Sequence, residues 1–273
     1  MATIFTKPVV VNAPEKDVVF DGCDFTAEAL VQISAAKSLT IKNCRFYNLA
    51  PTKAKTFGIS LDKAAKLKLV IENCFFGDNA GNEKGKLYNL MELTGFLMDG
   101  SSISKNYFTK GCCTHNQINI YQADQDAVIN VNNNVAMYSA NMCRIGLMGE
   151  PKCVINMVGN AYYETDPTDG YEYAGLVLIQ PYGKQTTSFN GLQLNVDKTK
   201  NGTSDDQIMY LYAGSADTPF NRKTNYPVVY VNGELVVDVP LAGGTIVVDP
   251  DEKTEAPADD SKKDDAAEDT ASK

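Results

Sequence analysis

Tryptophan is absent from this chain of 273 residues, and histidine occurs once, at His115. A single imidazole excludes metal sites built from several histidines and leaves no second one for acid–base work. Cys112 and Cys113 lie beside it, but adjacency in sequence does not assemble a thiol–imidazole nucleophile. His115 is therefore expected as a loop residue next to core cysteines. Arginine is confined to Arg45, Arg144 and Arg222, which is sparse for a surface that grips acidic ligands. The seven cysteines contain no C-x-x-C spacing. No apolar run approaches the ~20 residues that cross a bilayer, and the first residues, MATIFTKP, lack the apolar stretch of a secretory leader. These absences lead us to expect no membrane partner and free thiols buried in a protein kept reduced, or in a particle assembled in a cytoplasm and released by lysis.

Charge is unevenly placed. The net charge is −9, and residues 249–273 carry ten acids against four lysines, a net of −6, which leaves −3 on everything before them. A nearly neutral body has no basic face to neutralise phosphates, so a nucleic-acid partner is not expected.

A short phrase recurs through the body. It reads VVFDGCDF at 18–25, LTIKNCRF at 39–46 and LVIENCFF at 69–76, with looser forms at 102–108, 128–135 and 154–162. Aligning Gly22, Asn43, Asn73, Asn106, Asn133 and Asn160 gives intervals of 21, 30, 33, 27 and 27 residues. A phrase that persists while its spacing stretches is how a stacked repeat absorbs insertions. Between the phrases lie strands with alternating apolar residues, at 30–33, 57–61, 90–93, 118–120, 143–147, 176–179 and 208–211. The expected unit is two strands per repeat, separated by turns at Asn or Gly, which tolerate left-handed backbone. Stacking then sets Ile on Ile and Phe on Phe, and places Cys23, Cys44 and Cys74 in one buried column. A β-sandwich is the alternative, but it does not require Asn-Cys-x-Phe to return in register.

The phrase Ile-x-Asn-Cys-x-Phe, at 41–46 and 71–76, resembles the repeat of right-handed parallel β-helix proteins of the pectate-lyase-like superfamily, which includes phage tailspikes and other virion proteins. The resemblance covers roughly residues 18–215. It implies an all-β fold, a right-handed parallel β-helix of about seven coils. The expected domains are an N-terminal cap at 1–17, the β-helix at 18–215, a β-hairpin cap at 216–249 turning at Asn232-Gly233, and a disordered acidic tail at 250–273.

Lyases of this superfamily use calcium-binding carboxylates with a basic residue, and its hydrolases use paired aspartates. The carboxylate candidates are Glu92, Asp99, Asp124, Asp126 and Glu150, with Arg144 as the cation. Asp124 and Asp126 would share one side of an extended strand, although QADQDA reads equally as a polar turn. No enzyme motif of the superfamily is matched residue by residue. Tyr171, Tyr173 and Tyr182 offer a glycan-stacking surface, against the plainer reading of an aromatic wall with its hydroxyls at the water line. Asn130 to Asn134 lack the Gly-rich repeat of a calcium ladder and read as stacked turn amides. The expectation is a non-enzymatic virion structural protein of a tailed phage, a capsid decoration or fibre-like appendage, without metal or cofactor. Its partners would be other virion proteins, and a homotrimer is one assembly open to it. A polysaccharide lyase or hydrolase using Asp124, Asp126 and Arg144, or a glycan-binding module using the three tyrosines, is the second expectation.

Overall fold

The structure is a computed structural model that describes residues 2–50, 57–77, 87–109, 112–137, 141–163, 175–181, 188–197, 209–211 and 227–236. Among these residues the regular elements are all β-strands. In chain order they are β1 (Ile4–Phe5), β2 (Val9–Asp21), β3 (Asp24–Ala27), β4 (Val31–Lys42), β5 (Arg45–Leu49), β6 (Phe57–Leu61), β7 (Lys66–Glu72) and β8 (Phe75–Phe76). Then come β9 (Asn89–Leu97), β10 (Ser102–Ser104), β11 (Tyr107–Phe108), β12 (Asn116–Ala123), β13 (Ala127–Asn132), β14 (Val135–Met137), β15 (Asn141–Ile145) and β16 (Cys153–Met157). The last are β17 (Ala161–Tyr163), β18 (Gly175–Ile179), β19 (Leu192–Val196), β20 (Met209–Leu211), β21 (Val228–Val231) and β22 (Glu234–Leu235).

Two parallel sheets result, and each strand pairs with its counterpart from the next repeat. The smaller runs β1-β3-β5-β8-β11-β14-β17 in chain order. The larger forks at the long β4, where residues Val31 to Ile33 pair with β6 and Ser38 to Lys42 pair with β7. One arm continues β6-β9-β12-β15-β18-β20 and the other β7-β10-β13-β16-β19-β21. The antiparallel pair is β21 with β22, joined through Asn232 (φ 52°) and Gly233 (φ 83°), the two left-handed residues a tight hairpin requires. The hairpin is not set apart from the body, because β21 also pairs in parallel with β19.

The recurring phrase is two strands, not one, so each repeat has three. The chain bends mid-phrase at a residue with positive φ: Gly22, Asn43, Asn73, Lys105, Asn133 and Gly159. This corrects the alignment at two places, since Asn106 and Asn160 do not occupy the bend but follow it. They belong instead to the interior column that starts with Cys23, Cys44 and Cys74 and continues through Asn106, Asn134 and Asn160, at separations of 21, 30, 32, 28 and 26 residues.

That column is hydrogen-bonded throughout. Four members accept a backbone N–H from the preceding repeat: Cys23 N–H bonds Cys44 Sγ (3.4 Å), Cys74 N–H bonds Asn106 Oδ1 (3.0 Å), Asn106 N–H bonds Asn134 Oδ1 (3.0 Å) and Asn134 N–H bonds Asn160 Oδ1 (2.9 Å). From Cys44 onward each member also donates to a carbonyl of the preceding repeat, Cys44 to Phe20, Cys74 to Ile41, Asn106 to Ile71, Asn134 to Ile103 and Asn160 to Val131. Sulfur and amide thus do one task, satisfying buried backbone at the bend. Beside it runs a column of stacked rings, Phe25, Phe46, Phe76 and Phe108, with centroids 4.4, 4.9 and 5.0 Å apart. Across the core, Ile33, Leu61, Leu93, Ile120, Ile145 and Ile179 stack in register on the larger sheet, all fully buried. Each such side chain contributes roughly 1.5–3 kcal/mol of burial free energy.

Candidate functional site

Alternation along a strand puts every second side chain on the outer face. On β12 that face carries Gln117, Asn119 and Tyr121, between the core residues Ile118 and Ile120. A polar outer face ordinarily meets water, yet Gln117 and Asn119 are 0% exposed and Tyr121 is 2% exposed. Register carries the row sideways: Glu92 on β9 and Arg144 on β15 flank Asn119. Glu92 and Arg144 are half-buried. They form the rim of a polar patch whose floor is the buried amides.

A carboxylate can only accept, so Glu92 orients the amides around it. Its Oε2 accepts from Asn89 Nδ2 and Asn119 Nδ2, each at 2.9 Å. Asn119 Oδ1 is left without a donor, and so is Gln117 Oε1, because Gln117 Nε2 donates to the Met137 carbonyl at 3.2 Å. Arg144 lies over the Tyr121 ring, 5.3 Å from its centroid, and its Nη1 donates to the Tyr121 hydroxyl at 2.8 Å. Its Nε is buried without an acceptor. Neither Glu92 nor Arg144 has an ion-pair partner among the described residues.

The other expected site residues are distributed elsewhere. Asp124 lies just past β12, and its carboxylate is bound at 2.9 Å by Lys66 Nζ, whose hydrogen bond holds its pKa below the usual carboxylate range. Asp126 is exposed in the turn before β13 with left-handed backbone (φ 61°), and its N–H donates to the Lys152 carbonyl at 2.6 Å. QADQDA is therefore a turn, and the shared strand face expected for the two aspartates does not form. Arg144 sits in register with Asn119, away from both. Asp99 accepts the Val128 N–H at 2.9 Å and so ties two repeats together. Tyr171, Tyr173 and Tyr182 lie outside the described residues, as does the acidic tail.

Asp126 and Glu150 do come together, lining an open recess of about 760 Å³ with Lys152, Ser188, Asn190 and Gln193. Gln193 also borders a second recess, of about 630 Å³, with Asn195, Tyr230 and Asn232. From Asn195, at the edge of the second recess, runs a row of amides in which Asn195 donates to Asn156 (2.7 Å) and Asn156 to Asn130 (3.0 Å). These amides stack on strands β13, β16 and β19, not at the turns expected of the Asn-rich stretch. Among the described residues no cluster of three or more His, Cys, Asp or Glu side chains is placed to hold a metal ion.

His115 is a half-buried residue packed on Tyr88, with ring centroids 3.8 Å apart, and burial lowers its pKa. Cys112 and Cys113 are buried beside it. Residues Gln117, Asn119 and Tyr121 escaped the sequence reading, which named Glu92 and Arg144 but not the amides between them. The available signal was a polar residue at every second position of QINIY. Comparison with known proteins adds no relative: no family model matches the chain, and no curated protein or solved structure matches it either.

Proposed function

We propose that the chain is a right-handed parallel β-helix of about seven coils and serves as a rigid, non-catalytic structural protein of a virion, a capsid decoration or fibre-like appendage of a tailed phage. Right-handedness is the hand that parallel crossover connections take. The observation that carries the structural role is that charged side chains are spent on joining neighbouring repeats. Asp24 pairs with Arg45, Asp17 with Lys37, Asp21 with Lys42 and Glu72 with Lys105, and Lys66 reaches past one intervening repeat to Asp124. Inside, the Cys–Asn and Phe columns do the same. A prism cross-linked on both its surfaces suits a part that must keep its shape while lying on, or projecting from, a symmetric lattice. Buried free thiols fit assembly in a reducing host cytoplasm. Other virion proteins would be the partners, and a homotrimer is a natural assembly for such a rod.

The test is composition of purified particles. Quantitative mass spectrometry of density-banded virions should find the chain at a copy number commensurate with the lattice. Finding it only as soluble monomer, in cells that produce no particles, would sink the proposal.

A second reading has an observation of its own. The Glu92–Asn119–Arg144 patch favours a glycan-binding or glycan-cleaving module, and a screen of polysaccharides for binding and for depolymerisation, with and without calcium, separates that reading from a purely structural rod.

A further inference from the structure

We infer that the first repeat is a docking surface for a second copy of the chain, joined edge to edge through β2 about a two-fold axis. The inference does not depend on whether the body is a virion part. The apolar interior is open at this end. Val9, Val18 and Phe20 on β2 are only partly buried, whereas Val31, Leu39 and Ile41, their partners in register on β4, are buried. The backbone is open here as well. In a parallel pair, alternate residues turn their N–H and C=O groups to the same neighbour. The N–H groups of Val9 and Gly22 bond the Leu30 and Lys42 carbonyls, so Val10, Asn12, Asp17 and Val19 turn theirs away from β4. Among the described residues no strand pairs with that edge. Two of its outward side chains are apolar, Val10 at 62% and Val19 at 58% exposed. A long edge with unpaired backbone groups and exposed valines is a template for another strand.

The pattern along β2 identifies that other strand as β2 of a second copy. The strand has two arms, 9–13 and 17–21, because its register against β4 breaks between Ala13 and Asp17. The arms diverge, since the matching halves of β4 go on to different neighbours, β6 and β7. A two-fold axis through the corner exchanges the arms and sets them antiparallel, the self-complementary geometry of a closed dimer. With the axis between Pro14 and Glu15, Val10 faces the second copy's Val19 and Asn12 faces its Asp17. Inside, Val9 faces Phe20 and Val11 faces Val18, which closes the core. Each pair puts inward on inward or outward on outward, following the alternation of burial along the strand. Like charges do not meet, because Glu15 faces Pro14 and Lys16 faces Ala13. The next registers that preserve this facing set Val10 against Asp17 or Asp21 instead. Head-to-tail stacking is disfavoured, because at the far end β22 already covers the outer edge of β21.

Sedimentation velocity of the full-length chain at high micromolar concentration tests the contact. The mass should be an even multiple of that of the chain, since a trimer formed along the flanks would still leave this end free to pair. Val10→Lys or Val19→Glu alone sets a charge against a valine and should halve that mass, weakening self-association at least about tenfold. An equimolar mixture of the two variants should regain it, because the new ammonium then faces the new carboxylate while the other valine pair is intact. Val128→Lys, on the exposed face of β13 away from this end, should change nothing. A monomeric or trimeric unaltered chain, single variants with full self-association, or a mixture that stays dissociated overturns the inference. Should either substitution prevent folding, hydrogen exchange of the unaltered chain decides. The amides of Val10, Asn12, Asp17 and Val19 should exchange more slowly as concentration rises, and rates independent of concentration overturn the pairing.

Discussion

Replacing Asn134 tests the interior column at its most heavily bonded point. Its Oδ1 accepts from the backbone N–H and from Nδ2 of Asn106, both at 3.0 Å. Its Nδ2 donates to the Ile103 carbonyl at 2.9 Å and to Asn160 Oδ1 at 3.1 Å. In Asn134→Ala, Asn106 Nδ2 keeps the Ile71 carbonyl and Asn160 Oδ1 keeps the Asn134 N–H. The Asn106 N–H loses its acceptor inside the core, and the Ile103 carbonyl loses one donor. One orphaned buried donor costs about 1–3 kcal/mol and a lost neutral hydrogen bond about 1 kcal/mol, so the variant should be destabilised by about 2–4 kcal/mol.

Asn134→Cys separates hydrogen bonding from mere volume. The fold already places cysteine in this column at Cys44 and Cys74, where Sγ lies 3.5 Å from the carbonyls of Phe20 and Ile41. A thiol at 134 can cap the Ile103 carbonyl and accept weakly from Asn106, so it should recover about half of the alanine loss, roughly 1–2 kcal/mol. Urea unfolding followed by far-UV circular dichroism measures both variants, with unchanged m-values showing that the same cooperative unit unfolds. Losses under about 0.5 kcal/mol in both, the level of ordinary surface substitutions, would refute the argument that this column satisfies the bend.

The other expectations concern charge, thiols and close packing. Asp24 is held below the usual carboxylate range by hydrogen bonds from Arg45, at 2.7 and 2.5 Å, so its contribution is present above its unfolded pKa and lost as pH falls through the depressed folded value. Asp24→Asn should therefore lower stability near neutrality and flatten its decline below about pH 4, as read from urea midpoints across that range. Burial pushes Cys143 and Cys153 up to about 12, so in the native protein neither should react with a disulfide reagent at about pH 8, and both should react on unfolding; labelling at that pH without unfolding would contradict their burial. Gly95 is in the irregularity where β9 shifts register against β12, and a methyl there would sit 2.5 and 2.6 Å from the backbone oxygens of Asp62 and Ala65. Gly95→Ala should cost on the order of 1–3 kcal/mol in thermal or urea unfolding, and a neutral result would mean that this close approach relaxes freely.

Much of this architecture was legible because the same environment returns once per repeat. At Ile41 and Ile71, or Phe46 and Phe76, an inward residue packs on its own counterpart, so the apolar pattern repeats even where the spacing does not. The bend was harder to place. Asn is the common non-glycine residue in left-handed backbone, which drew Asn106 and Asn160 to the bend, while Lys105 and Gly159 occupy it and the two amides serve the interior. A side chain that donates and accepts within a small volume suits either place, and only the register of the neighbouring repeat distinguishes them. The polar patch was obscured for a related reason. Alternation in QINIY says that Gln117, Asn119 and Tyr121 share the face opposite Ile118 and Ile120, and says nothing about what covers that face. Charge could be assigned by type, so Glu92 and Arg144 were named, but their pairing across Asn119 depends on which strands become neighbours. Local pattern fixes which side of a strand a residue takes; long-range register decides whether that side is a surface, an interior column or a site.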